Sequence, residues 1–340
     1  MLQDTSAQEA NTNVDMLFIG AGPVGLFGAY YAGFRGLSMA VVDALPEVGG
    51  QVQAIYPEKK IYDIAGLPGV PGQELIGNLV RQAAPFSPLY LLSQQVQRLE
   101  RRDGGWRATT SAGVVVDARA VVITSGVGAV TPRPIPAGED FLGRGLCYFV
   151  PRLDVLDGKD VVVVGGGDSA VDWALAALPR ARSTTLVHRR RQFRAHEHSV
   201  QLLHQSACTV LVDANVTELR GRDRVESVAV KVAGEAEVRE TKAQVVVAAL
   251  GFLMNLGPIK DWGLELEGRA IRVDSRMRTN LPEVFAAGDA ATFDGKVKLI
   301  AVGFGEVATA VNNAAVALDP QAGLAPGHSS DLTLPAQVGA

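Results

Sequence analysis

The chain has 340 residues, 47% hydrophobic and 20% charged, with a formal net charge of −4. Such a composition builds apolar cores, the length exceeds what one core usually supports, and two domains are expected. The slightly acidic balance excludes general nucleic-acid binding. The opening MLQDTSAQEANTNVD lacks the basic and apolar regions of a signal peptide, and apolar runs are interrupted by Gly, Asp or Arg before the roughly eighteen residues of a membrane helix. A cytoplasmic protein is therefore expected. Cys147 and Cys208 are the two cysteines, with no Cys-x-x-Cys; they support neither a disulfide framework nor a zinc site and read as small buried hydrophobes.

In chain order, a strand over 15–19 leads into Gly20-Ala21-Gly22-Pro23-Val24-Gly25, a helix to about Phe34, and a strand over 37–42 ending at Asp43. This is a βαβ unit with a glycine fingerprint and an acidic residue eighteen positions beyond Gly25. Gly20 permits the tight turn, Gly22 lets backbone approach a pyrophosphate, and Gly25 lets helix and strand pack closely. The Asp43 carboxylate can accept both hydroxyls of an adenosine ribose. A glycine turn without a ligand is the plain alternative.

A long loop follows over 46–72, rich in Gly, Pro and Tyr, and loops of that length are usually functional. A helix over 73–83 precedes a β-rich block over 90–124, with a hairpin turn at Arg101-Arg102-Asp103-Gly104-Gly105. Pro132, Pro134 and Pro136 then stiffen the chain against regular structure, which suits a domain crossover.

The second unit has a strand over 161–164, the turn Gly165-Gly166-Gly167-Asp168-Ser169-Ala170, a helix to about Leu178 and a strand over 184–187. Ala170 stands in the third glycine place, as the fingerprint permits. Where a carboxylate would follow, the chain reads His188-Arg189-Arg190-Arg191-Gln192-Phe193-Arg194. A carboxylate there would repel a 2′-phosphate, whereas guanidinium groups bind one through charge-assisted hydrogen bonds. The second nucleotide is expected to be NADPH rather than NADH; a solvated basic face is the alternative. Strands over 209–212, 225–232 and 244–250 close the block at Gly251. Beyond it a buried strand from Val284 delivers Gly288-Asp289, where the carboxylate either contacts the ribityl chain of FAD or caps a helix. Two fingerprints imply two nucleotides. The expected division is a discontinuous FAD-binding domain, 1–131 and 251–340, around an NADPH-binding domain, 132–250.

Assembled, these motifs resemble the flavoproteins with two dinucleotide-binding domains, and within them the thioredoxin-reductase-like group, over roughly 15–330. Thioredoxin reductases carry a redox Cys-x-x-Cys shortly before the second glycine motif; here the chain reads Cys147-Tyr148-Phe149-Val150-Pro151-Arg152. The chain is thus similar to the thioredoxin-reductase-like ferredoxin(flavodoxin)–NADP⁺ reductases. The likeness rests on Gly49-Gly50-Gln51, Ile55-Tyr56-Pro57, Val171-Asp172-Trp173 after the second turn, the basic run, Gly288-Asp289 and the late His328-Ser329-Ser330. It implies an α/β fold of two Rossmann-like, three-layer domains, with FAD and NADPH as cofactors.

For FAD the resemblance points to Gly20, Gly22, Pro23, Gly25, Asp43, Gly50 and Gln51, to Tyr56 stacking on one flavin face, and to Val96 beside the adenine. It adds Val130, Gly288, Asp289 on the ribityl chain, His328 over the other face, Ser329 and Ser330. For NADPH it points to Gly165, Gly166, Gly167, Asp168, Ser169, His188, Arg189, Arg190 and Arg194. Two departures stand out: Asp43 is shorter than the usual Glu, and Val302-Gly303-Phe304-Gly305-Glu306 has Val where the family carries an acidic residue. A ferredoxin or flavodoxin partner and a homodimer are implied. Flavin takes a two-electron hydride and releases electrons singly, so no general acid, base or nucleophile is required and no catalytic side chain is expected. His196-x-His198 reads as solvated rather than metal-binding. Two other readings are an NADPH-dependent flavin reductase serving a separate disulfide or small oxidant, and a non-catalytic flavoprotein, which would have no need of the arginines.

Overall fold

Runs such as MAVV at 39–42 and DVVVV at 160–164 are buried at every residue, the pattern of parallel strands covered on both faces. The computed structural model describes residues 12–136, 138–150, 152–325 and 327, without the side chains of Ala129, Val130 and Met254. The chain divides into two compact units, Met1–Ala129 with Met254–Ala340, and Val130–Leu253.

The first unit begins with β1 (Thr12–Ile19), α1 (Pro23–Phe34) and β2 (Met39–Val42). The span 46–72, expected as an unbroken loop, instead holds a short helix α2 (Gly50–Ile55) and a small hairpin, β3 (Lys60–Ile61) with β4 (Val70–Pro71). Then come α3 (Gly72–Ala83), β5 (Leu89–Leu91), β6 (Val96–Arg102), β7 (Gly105–Thr110) and β8 (Val115–Ile123). The sheet runs β5-β2-β1-β8-β7-β6, parallel from β5 to β8 and antiparallel beyond.

β9 (Ala129–Pro132) leads into the second unit, which holds β10 (Leu146–Cys147), β11 (Asp160–Val164), α4 (Asp168–Ala177), β12 (Ser183–Val187), α5 (Glu197–Gln205) and β13 (Thr209–Leu211). It continues with β14 (Ala214–Arg220), β15 (Ser227–Val232), β16 (Arg239–Lys242) and β17 (Val245–Ala248), and β18 (Phe252–Asn255) leads back to the first unit. Its parallel sheet is ordered β10-β17-β11-β12-β13, and β14-β15-β16 form an antiparallel sheet of their own. The prolines after 131 do not prevent a strand: β9 ends at Pro132 and pairs with β18.

Returning to the first unit, the chain forms β19 (Leu266–Glu267), β20 (Ala270–Arg272), β21 (Val284–Ala286), β22 (Ala291–Thr292) and α6 (Ile300–Leu318). β21 pairs with the second half of β8, whose first half pairs with β7, so one nine-residue strand carries two neighbours on one edge. Phe18 and Phe285 are fully buried in this core, and each such side chain contributes about 1.5–3 kcal/mol by leaving water. Contrary to the sequence expectation, one helix, α6, is long and apolar enough to cross a membrane by length and composition. Its Gly303, Val307, Ala310, Val311 and Ala314 are nevertheless buried, and it packs against α1.

Candidate functional site

The first candidate site is built at the C-terminal end of β1. Gly20 (φ +116°) turns the chain so sharply that a Cβ would lie 2.5 Å from the Thr124 carbonyl oxygen. At Gly25 a Cβ would lie 1.9 Å from the Gly20 carbonyl oxygen, so only glycine lets α1 sit this close to β1. Gly22 is different: at φ −67° nothing stands within 4 Å of a Cβ, and no side chain caps the helix there. Pro23 opens α1, where its missing N–H leaves nothing unsatisfied. The result is an open cradle at a helix N-terminus, the seat a phosphate requires. At the end of β2, Asp43 accepts hydrogen bonds from the backbone N–H of Ala21 (2.6 Å) and Leu45 (2.8 Å). Burial pushes its carboxyl above the usual range, and those two donors hold it back.

Several later segments converge on this turn. Gly50 approaches so closely that a Cβ would lie 3.0 Å from Gly22 Cα. Gln51 lies near Gly126, in the loop after β8, and the neighbouring Ser125 hydroxyl is buried without a hydrogen-bond partner among the described residues. Val24, inside the fingerprint, packs against Gly288 and Gly303, so 20–25 and 288–289 meet although they are far apart in sequence. Asp289 lies in a single 3-10 turn, Gly288–Ala290, and α6 starts after Leu299; Asp289 therefore caps no helix. Tyr56 is half-buried, and burial followed by the charges of Asp289 and Asp63 raises its hydroxyl pKa. Val96 is buried in the core near the segment where Gln94 N–H donates to the Asp43 carbonyl. The Val130 side chain, His328, Ser329 and Ser330 lie outside the described residues.

Sequence reasoning missed Lys296 and Glu306. Glu306 is buried in α6, accepts the Gly288 N–H at 2.8 Å and is paired with Lys296. The available signal was a glutamate in an otherwise apolar helical stretch, since a buried charge needs a partner.

The second candidate site repeats the turn at the end of β11. Gly165 (φ +148°) would place a Cβ 2.3 Å from the Ala249 carbonyl oxygen, and Gly167, the uncapped N-terminus of α4, is open. A Cβ on Gly166 would lie 2.2 Å from the His188 ring. His188 is thus packed beneath the turn, 8% exposed, with Nε2 at 3.1 Å from the Gln192 carbonyl oxygen. The basic segment is tied to the turn twice more: Arg194 N–H donates to the Gly166 carbonyl and His196 N–H to Asp168 Oδ1. Asp168 and Ser169 are exposed in the first turn of α4. Arg189, Arg190 and Arg194 are exposed and make no ion pair among the described residues, whereas Arg191 pairs with Asp213 at 2.6 Å.

The two cysteines form no relay. Burial pushes the Cys147 thiol up to about 12 and the Cys208 thiol up to about 11, so both remain protonated. They lie at opposite edges of the β10-β17-β11-β12-β13 sheet, a separation of roughly 19 Å at ~4.8 Å per strand, against the ~7 Å limit between Cα atoms of a disulfide. His196 and His198 are exposed.

Two glycine cradles, each at the C-terminal end of a parallel strand, are those of a dinucleotide-dependent oxidoreductase. Residues 14–315 match the pyridine nucleotide-disulphide oxidoreductase family, and the chain belongs to it. Among curated relatives, the ferredoxin–NADP reductase of Saccharopolyspora erythraea is 58% identical, the match covering 94% of this chain and 98% of that one. That of Nocardioides sp. is 54% identical (94% and 97%), and ferredoxin–NADP reductase 2 of Shouchella clausii is 46% identical (96% and 99%). Among solved structures, T. acidophilum thioredoxin reductase superposes with a TM-score of 0.75 at 26% identity, covering 91% of this chain and 98% of that one. Lactococcus lactis thioredoxin reductase gives 0.75 at 25% identity (90% and 99%). The fold is thioredoxin-reductase-like.

Proposed function

We propose that the chain works as an FAD-dependent ferredoxin–NADP⁺ reductase, exchanging electrons between NADPH and a ferredoxin. The observation that carries this reading is the pairing of two like cradles with opposite chemistry beyond them: a buried carboxylate, Asp43, after the first and, after the second, exposed arginines with no ion pair among the described residues. FAD, when bound, accepts a hydride as an electron pair and gives electrons up singly.

The residues of the first unit suit FAD. Open Gly22 and the uncapped start of α1 would receive the pyrophosphate, with Gly20, Pro23 and Gly25 shaping the turn. Asp43 would hold the adenosine ribose, with Val96 close by, and Gly288-Asp289 the ribityl chain. Gly50, Gln51 and Tyr56 close around the same cradle, where the unpartnered Ser125 hydroxyl is a further polar group available to a ligand. Residues 328–330 are proposed to cover the flavin, as the resemblance implies.

The residues of the second unit suit NADPH. Gly165, Gly166, Gly167 and Ser169 would form the pyrophosphate seat, and Arg189, Arg190 and Arg194 would bind the 2′-phosphate. Asp168 and His188 contribute by holding the arginine segment against the turn. No side chain is assigned as general acid or base.

Flavodoxin is proposed as an alternative electron partner, and a homodimer as the working form. Half-buried rings support the latter: Phe27 lies 5.2 Å from Phe304, and Tyr30 lies 6.3 Å from Phe34 and 5.9 Å from Phe86. Aromatic side chains are enriched at protein interfaces relative to the rest of the surface. The cytoplasm is the proposed location, without membrane or nucleic-acid partners.

The test is anaerobic. Purified yellow protein is mixed with NADPH and the flavin absorbance followed; ferredoxin with cytochrome c, and separately an aromatic disulfide, are then added. Bleaching followed by turnover with ferredoxin supports the proposal. Turnover with the disulfide alone moves the reading to a flavin reductase of a separate disulfide.

A further inference from the structure

We infer that Glu306, neutralised by Lys296, is a positioning residue for Asp289. Lys296 and Glu306 have 5% and 6% exposed side chains, and theirs is the only ion pair among the described residues with both partners buried. Removing two charges from water is unfavourable enough that an apolar pair of the same size would often hold a core as well or better. The pair offers something an apolar pair does not, an acceptor inside the core. Glu306 Oε2 takes the N–H of Gly288 at 2.8 Å, and Lys296 Nζ donates to both carboxylate oxygens.

Gly288 needs that anchor. Its φ is +71°, and it lies between Val24 on one side, 3.1 Å from where a Cβ would be, and α6 on the other. Gly303, in the first turn of α6, makes room for this approach: a Cβ there would lie 2.5 Å from Val24 and 3.3 Å from Gly288 Cα. The next residue is Asp289, whose charge reaches Tyr56. With Gly288 held by Glu306, the direction of the Asp289 side chain is fixed before any ligand arrives. Lys296 cancels the Glu306 charge, leaving Asp289 as the net charge of the turn.

The inference rests on the reading of Asp289 as an FAD-holding residue, and the experiment separates the two. Two double variants avoid leaving a buried charge alone. Lys296→Met with Glu306→Gln keeps an acceptor for Gly288, and Lys296→Met with Glu306→Leu removes it. Each is made with Asp289 intact and with Asp289→Asn, its fold is checked by circular dichroism, and FAD release from the holoprotein is followed by the rise of free-flavin fluorescence. With Asp289 intact, the Gln variant should release FAD within about threefold of the parent and the Leu variant about tenfold faster, the usual scale of one lost hydrogen bond. With Asp289→Asn, the two should release FAD at the same rate. Equal release by the Gln and Leu variants with Asp289 intact, or an undiminished difference between them with Asp289→Asn, overturns the positioning role. If Asp289→Asn alone leaves FAD release unchanged, the reading of Asp289 fails first, and this inference with it.

Discussion

The two glycine turns share a frame and differ in their surroundings. Gly20 and Gly165 adopt the same left-handed conformation against a carbonyl of the adjoining segment, and Gly22 and Gly167 are the open, uncapped helix starts. Around the first turn, Gly50, Val24 with Gly303, and Gly288 with its buried Glu306 crowd in. Around the second, Asp168, Ser169 and the arginines face solvent. The glycine geometry leaves an open helix start in both; under the proposed function, the crowded surroundings of the first would enclose its nucleotide and the open surroundings of the second would let its nucleotide exchange. Just beyond the second strand stand Asp43 in one unit and His188-Arg189-Arg190 in the other, the difference on which the proposed choice of nucleotide rests.

The largest effect separating the turns should come at their third position. Gly25→Ala drives a Cβ into the Gly20 carbonyl, whereas the second unit already carries Ala170 there. Overpacking against backbone costs about 1–3 kcal/mol or more, so Gly25→Ala should lower the melting temperature and the flavin content, while Ala170→Gly leaves flavin content unchanged. Next is nucleotide choice. Arg189→Gln with Arg190→Gln should raise KM for NADPH steeply, each charge-assisted contact being worth about 1.5–3 kcal/mol, with little change for NADH. Arg191→Gln should matter far less, because Asp213 already occupies that guanidinium. An equal response of NADPH and NADH would return the arginines to a solvated face.

The glycine turns, their strands and Asp43 were legible because local rules govern them: apolar runs, positive-φ glycines and an acidic residue in register. The helix α2 was not, since six residues that begin at Gly50, behind the left-handed Gly49, carry too little periodicity to read. His188 was legible from its place in the basic run, but not that the absence of a side chain on Gly166 lets its ring pack beneath the turn. That relation is tertiary, as is Lys296 with Glu306, joined across a loop. Likewise Asp289 could be read as a helix cap until the start of α6 placed it elsewhere.

Smaller effects sharpen the contrast in pH response. The Arg182 guanidinium and Ser183 hydroxyl hold Asp160, at the start of β11, down to about 2. A depressed carboxylate contributes stability above its unfolded value of 3.8 that is lost as pH falls through about 2. Asp43 has the opposite sign: its raised value favours the protonated folded form, so stability falls as pH rises from 3.8 through that value and is level above it. Acid unfolding of the parent should therefore steepen below 3.8 relative to Asp160→Asn, monitored by circular dichroism. Least of all, Cys147→Ser and Cys208→Ser should leave ferredoxin-linked turnover unchanged, measured as cytochrome c reduction; loss of turnover in either would reinstate a thiol step.

The most direct test of two seats with two occupants is a matched pair, Gly22→Ala and Gly167→Ala. Both positions have ordinary φ values, −67° and −97°, and no atom within 4 Å of a Cβ, so the fold accepts either methyl group, which then stands where a phosphate would lie. Flavin content after gel filtration and the rate of anaerobic bleaching by NADPH are read for both. Gly22→Ala should lose FAD, while Gly167→Ala should stay yellow and bleach slowly with NADPH. Full flavin and parental bleaching in both, or loss of flavin from Gly167→Ala, would contradict the account.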